Sequence, residues 1–122
     1  MSSKPVRVGV YARVSTTDQT PETQLIDLRR YCAERSWSIV EEFVDHGISG
    51  TKEKRPALDR LMDAVQKRRL DTVLVWRFDR FARSVKHLVL TLEELRGLGV
   101  AFVSFQENVD TGSPLGQAIF TI

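Results

Sequence analysis

The sequence predicts a three-layer α/β sandwich with a mostly parallel central sheet, and three observations carry that prediction. Short apolar runs of strand type, at residues 6–12, 37–44, 72–76 and 100–105, alternate with longer stretches whose apolar residues recur at helical spacing. Each helical stretch is long enough to return the chain for a parallel crossover, a connection that is right-handed by strong preference. The run TVLVW at 72–76 is almost continuously apolar, as a strand covered on both faces must be. At 122 residues the chain fits one domain, and it has no internal repeat, linker or low-complexity stretch.

The first strand alternates Val6, Val8 and Val10 with Arg7, Gly9 and Tyr11, and the small Gly9 permits close packing against it. It feeds a polar turn, STTDQ. From Pro21 the period changes: Leu25, Leu28 and Cys32 share one face of a helix, with Thr20 placed to cap it and Pro21 at its first position. The second strand, WSIVEEFV, opens into DHGISGTKEKRP, whose glycines and basic residues predict an exposed, mobile loop. A second helix starts near Pro56, carries Leu58, Leu61, Met62 and Val65 as its stripe, and ends near Arg68 or Arg69. After the third strand comes RFDRFARS. A third helix then runs from Ser84 or Val85 to Arg96, with Val85, Leu88, Leu92 and Leu95 on one face. The fourth strand, VAFVSF, is followed by the loop QENVDTGS, where Ser113 and Pro114 signal one more helix. LGQAIFTI reads either as the first turns of a longer helix, making these residues part of something larger, or as a short terminal helix.

Composition narrows the function. No stretch approaches a membrane span and the start lacks the apolar region of a secretory signal, so a cytoplasmic location is expected. A single cysteine, Cys32, excludes an intrachain disulfide and a cysteine-rich metal site; His46 and His87 lie in different elements and are read as structural. The formal net charge of +2 is compatible with a nucleic-acid partner without requiring one. Its distribution says more, because basic residues concentrate in KEKRP, QKRR and WRFDRFARSVKH.

In an open α/β sheet ligands bind beyond the carboxyl ends of the strands, and two polar clusters fall there. The first strand delivers Arg13 and Ser15; the third delivers Arg77, Asp79, Arg80 and Arg83. Arginine in such a setting points to phosphate, since its fork matches two phosphate oxygens and its charge is permanent near neutral pH. A Ser15 hydroxyl attacking a phosphodiester would find guanidinium groups placed to hold the non-bridging oxygens. No histidine neighbours either cluster, and no nucleophile-elbow or P-loop glycine pattern occurs. Plainer readings stand beside these. A serine after a strand is ordinarily a turn residue, Asp79 either braces an arginine or caps a helix, and Gln24 either bends back toward Ser15 or faces solvent. Tyr11 and Trp76 read as packing residues. Two rival functions remain open: a metal-dependent phosphoryl-transfer domain using Asp71, Asp79 and Glu107, which needs carboxylates close enough to share magnesium, and a non-enzymatic receiver-like or phosphate-sensing interaction module.

Together, YARVSTTDQ, Gln24, GISGTKEKRPAL and FDRFARS closely resemble the catalytic domain of the serine recombinases, the resolvase and invertase group. The resemblance covers almost the whole chain, including the arginine-x-serine element after the first strand and the aspartate-arginine-x-x-arginine element after the third. It implies that Ser15 is the nucleophile, that Arg13, Arg80 and Arg83 are core active-site arginines which also contact DNA, that Asp79 is their acidic partner, and that Gln24, Ser49 and Arg55 complete the site, with Arg55 also on DNA. Where the family commonly has leucine-glycine between the two later arginines, this chain has Phe81-Ala82, again apolar then small. The implied reaction is DNA breakage through a 5′-phosphoseryl link and rejoining by reversal, with no metal or other cofactor. The implied partners are double-stranded DNA and, in the full-length protein, a homodimer and a synaptic homotetramer. Residues 1–122 are then expected to be a catalytic domain ending inside its last long helix and lacking a DNA-binding domain, so that alone it is monomeric or weakly associated and inactive.

Overall fold

The computed structural model describes residues 6–15, 21–47, 55–82 and 84–111. Five strands form one sheet in the order β2-β1-β3-β4-β5: β1 (Arg7–Ser15), β2 (Ser38–Gly47), β3 (Thr72–Val75), β4 (Ala101–Ser104) and β5 (Val109–Asp110). The first four are mutually parallel, while β5 runs antiparallel to β4. Among the described residues four helices accompany them: α1 (Pro21–Glu34), α2 (Pro56–Gln66), the single turn α3 (Phe78–Phe81) and α4 (Val85–Gly97).

The alternation read in the sequence places the core. Val8, Val10 and Ala12 face α1, where they bury with Leu25, Leu28, Cys32, Leu74 and Val103. On the other face Tyr11 packs with residues of α2, α3 and α4, among them Leu61, Val65, Phe81 and Leu95. This segregation follows from strand order. The step from β1 to β2 goes one way along the sheet and the later steps go the other, so right-handed crossovers put α1 on one face and α2 and α4 on the opposite one. The reversal makes the boundary between β1 and β3 a switch point, the place at the carboxyl edge where open α/β sheets bind ligands.

Several boundaries differ from expectation. β1 and β2 both extend beyond the predicted runs, because parallel pairing continues through Arg13↔Asp45, Val14↔His46 and Ser15↔Gly47. Asp45, His46 and Gly47 therefore belong to a strand and not to an exposed loop. Part of the segment read as the loop QENVDTGS is β5, whose pairing Ser104↔Val109 closes a tight hairpin on β4. RFDRFARS contains the helical turn α3. α2 ends at Gln66, before the predicted Arg68 or Arg69, and Arg68 takes a left-handed conformation (φ 58°) just beyond it. α4 starts at Val85, within the predicted bounds, and Ser84 caps it, its hydroxyl oxygen accepting from the His87 amide at 3.0 Å. Val85, predicted on the buried stripe, is 79% exposed, and Thr91 buries instead. The Thr20 cap, Ser49, Arg83 and the final helix from Ser113 lie outside the described residues. Among the described residues no helix is long and apolar enough to cross a membrane.

Candidate active site

The candidate site lies at the carboxyl edge of β1 and β3, where β1 continues four residues past the point at which β3 stops. Tyr11 pairs with Val75 in register. Ser15 closes β1 four residues beyond Tyr11, while the chain leaving Val75 turns into α3, which carries Asp79 and packs against β1 through Phe81 and Tyr11. Arg13, half-buried, lies on the way, opposite Asp45 of β2. Asp79 and Arg80 are the two central residues of α3.

Beneath this edge is a buried polar cluster centred on Asp45, which is 4% exposed. Its Oδ1 accepts from the Ala57 amide at 2.8 Å, and its Oδ2 accepts from the Leu58 amide at 3.0 Å and from the Tyr11 hydroxyl at 2.8 Å. A carboxylate on the opening amides of α2 satisfies donors that the helix leaves unpaired and complements its dipole. The N-cap residue, Arg55, makes no side-chain capping bond, so Asp45 of the neighbouring strand does that work. Burial first, and then the hydrogen bond and charge of Asp45, hold the Tyr11 phenol well above its ordinary pKa; the charges of Arg55 and Arg13 act in the opposite sense. Both guanidinium groups therefore lie close enough to Tyr11 to influence its ionisation.

Arg55 was expected in an exposed basic loop. It is buried, 6% exposed, and its Nη1 donates to the Phe81 carbonyl at 2.7 Å. The residue before α2 thus holds the end of α3. Phe81 itself is fully buried, edge-on to Tyr11 and tilted against Phe102. Gln24, in the first turns of α1, is buried and not solvent-facing; its Oε1 has no hydrogen-bond partner among the described residues, leaving an acceptor open near the same edge.

Of the residues sequence reasoning put in the site, Arg13, Ser15, Gln24, Arg55, Asp79 and Arg80 lie on four described pieces of chain: β1, the first turns of α1, the residue before α2, and α3. That reasoning missed Asp45, read as the start of a loop, and took Tyr11 for packing alone. The signal for Asp45 was an acidic residue directly after the apolar pair Phe43-Val44, ahead of a helix opened by Pro56. Asp71, by contrast, lies at the opposite edge. Its carboxylate takes the Arg7 amide at 2.9 Å and pairs with the Arg7 guanidinium at 3.1 Å, which holds its pKa below the usual value. A magnesium site joining Asp71 to Asp79 and Glu107 is thereby ruled out by position.

Residues 8–122 match the family described as Resolvase, N terminal domain. The chain belongs to that family. Among relatives of this resolvase domain, the serine recombinase gin of Escherichia phage Mu is 39% identical over 112 residues, covering 92% of this chain and 53% of that protein. The transposon Tn552 DNA-invertase BinR of Staphylococcus aureus is 42% identical over 117 residues, covering 94% and 56% respectively. The resolvase domain thus spans about half the length of these relatives. The crystal structure of the N-terminal catalytic domain of TP901-1 integrase superposes with a TM-score of 0.83 at 33% identity, over 94% of this chain and 88% of that one.

Proposed function

We propose that this domain is the catalytic part of a site-specific DNA recombinase in which Ser15 is the nucleophile. Its hydroxyl oxygen attacks a backbone phosphorus, the new bond from Ser15 Oγ to phosphorus replaces the bond to the 3′-oxygen, and the leaving oxygen takes a proton to become a 3′-hydroxyl. The serine proton is lost in the same step. The phosphoseryl ester keeps the energy of the diester, so reversal onto an exchanged end reseals the strand without ATP or a metal.

The observation that supports this reading is the packing of α3, which carries Asp79 and Arg80, against β1, which ends in Ser15: the Phe81 ring sits edge-on to Tyr11 with centroids 6.0 Å apart. An arginine-x-serine strand end next to the turn bearing Asp79 and Arg80 would lie at the switch point where α/β folds bind ligands. Arg13, Arg80 and Arg83 would hold the phosphate and stabilise the charge that develops on it. Arg55 acts from beneath, Gln24 and Ser49 from the flanks. The partner is double-stranded DNA, and the working unit is a homodimer that pairs into a synaptic tetramer in the cytoplasm.

The test uses the full-length protein and a supercoiled plasmid carrying its sites. Ser15→Ala should abolish the covalent protein-DNA adduct while DNA binding persists; an adduct formed at normal yield by that variant would sink the assignment. Arg80→Lys should also impair the reaction strongly, because a point charge does not replace a bidentate fork.

A further inference from the structure

α3 poses a physical problem. It is one helical turn, Phe78–Phe81, closed by the Ala82 amide on the Phe78 carbonyl at 2.8 Å, and its N-cap residue Arg77 offers no side-chain capping bond. A lone turn fixes several dihedrals for one hydrogen bond and does not persist by itself. Its position therefore comes from what grips it. Two grips are apolar: Phe78 stacks on Phe102, with ring centroids 5.9 Å apart, and Phe81 is buried beneath Tyr11. The third is Arg55, at the carboxyl end.

The fourth lies at the amino end. Glu107, in the turn joining β4 to β5, accepts the Phe78 amide on its Oε1 at 3.0 Å, and the same oxygen takes the hydroxyl of the fully buried Ser104. The turn is itself fixed. Asn108 adopts φ 55°, and Thr111 is locked to Phe102 in both directions, its amide donating at 2.9 Å and its hydroxyl accepting at 2.8 Å. A carboxylate on an exposed turn, oriented by a buried serine and aimed at the first amide of the turn carrying Asp79 and Arg80, goes beyond what surface charge requires. We infer that Glu107 is a positioning residue: it sets the start of α3, and through it the placement of Asp79 and Arg80 against the end of β1. As a statement about catalysis this rests on the recombinase reading; as a statement about α3 it does not.

Two measurements keep these apart. In the 122-residue chain, amide hydrogen exchange at Phe78 should accelerate roughly tenfold or more in Glu107→Ala, as befits loss of a hydrogen bond to a charged group, while amides of β3 and α4 keep their rates. Glu107→Gln retains an Oε1 acceptor and should keep most of the protection. Ser104→Ala, which only frees the carboxylate to rotate, should fall between. Unchanged exchange in Glu107→Ala, equal acceleration in Glu107→Gln, or acceleration spread evenly over β3 and α4 would overturn the inference. In the full-length protein, Glu107→Ala should form the covalent adduct roughly tenfold or more slowly at unchanged DNA affinity, with Glu107→Gln largely restored. Normal adduct formation by Glu107→Ala would refute the catalytic consequence. Absence of an adduct from the unmodified protein would defeat the recombinase reading and leave the exchange result to decide the role of Glu107 in α3.

Discussion

The hydroxyl of Tyr11 donates to Oδ2 of Asp45 at 2.8 Å inside the fold, joining the inner strand β1 to the edge strand β2 immediately below the candidate active site. The same carboxylate holds the first amides of α2, so three elements meet on two oxygens. Tyr11→Phe keeps the ring and its contact with Phe81 and removes only the donor. It should cost about 1–2 kcal/mol, since a buried acceptor loses one of its partners. Asp45→Ala strips two amides and a phenol of their acceptor together and should cost about 3 kcal/mol or more. Urea unfolding followed by circular dichroism checks both values. A smaller effect for Asp45→Ala than for Tyr11→Phe would refute the carboxylate's place at the hub.

The same pair predicts how stability depends on alkaline pH. Folding raises the pKa of the Tyr11 phenol, chiefly by burial and then by its bond to Asp45. A group whose folded pKa is raised contributes fully below its unfolded value, near ~10 for a phenol. That contribution is lost as pH climbs from there toward the folded value, because only the unfolded chain then sheds the proton. Unfolding free energy should fall above about pH 10, with a slope from this residue of no more than about 1.4 kcal/mol per pH unit. Tyr31, the other tyrosine, is also shifted upward, by burial first. Native-state absorbance at 295 nm should therefore show no tyrosinate from Tyr11 at pH 10.5, leaving at most the signal of Tyr31, and Tyr11→Phe should flatten the alkaline slope. A full phenolate signal from the folded protein at that pH would contradict the buried bond.

The architecture was legible because each long element carries a period: Val8, Val10 and Ala12 alternate, and Leu58, Leu61 and Val65 fall on one helical face. The elements that escaped are those too short to have one. β5 is two residues and α3 is four, and both exist because neighbouring strands and side chains hold them, not through their own propensity. Asp45 and Arg55 were misplaced for a related reason. In a stretch dense in glycine, serine and lysine, polar residues read as exposed, and their burial is decided by the pairing of β2 with β1 and by the carbonyl of Phe81, which is remote in sequence. Local pattern thus reveals which residues reach the sheet edge. It does not reveal what lies beneath them.

Gly9 offers the sharpest test of how tightly β1 is set. A Cβ at this position would lie 2.6 Å from Leu70 Cδ1, 2.9 Å from Leu61 Cδ1 and 3.3 Å from Phe43 Cε2. Real carbon contacts do not close below about 3 Å, so two leucines from different parts of the chain and a phenylalanine ring would all have to yield. Each is buried in the core shared with Tyr11, and close-packed interiors have little slack to offer. Alanine would slightly favour the strand by intrinsic propensity, an effect of under about 1 kcal/mol. Overpacking costs about 1–3 kcal/mol and should win. Gly9→Ala is therefore expected to lower the urea midpoint, and pairing it with Leu70→Ala, which removes the nearest atom, should recover part of the loss beyond simple addition. Strict additivity in that double-mutant cycle would show that Leu70 is not what limits the space above Gly9.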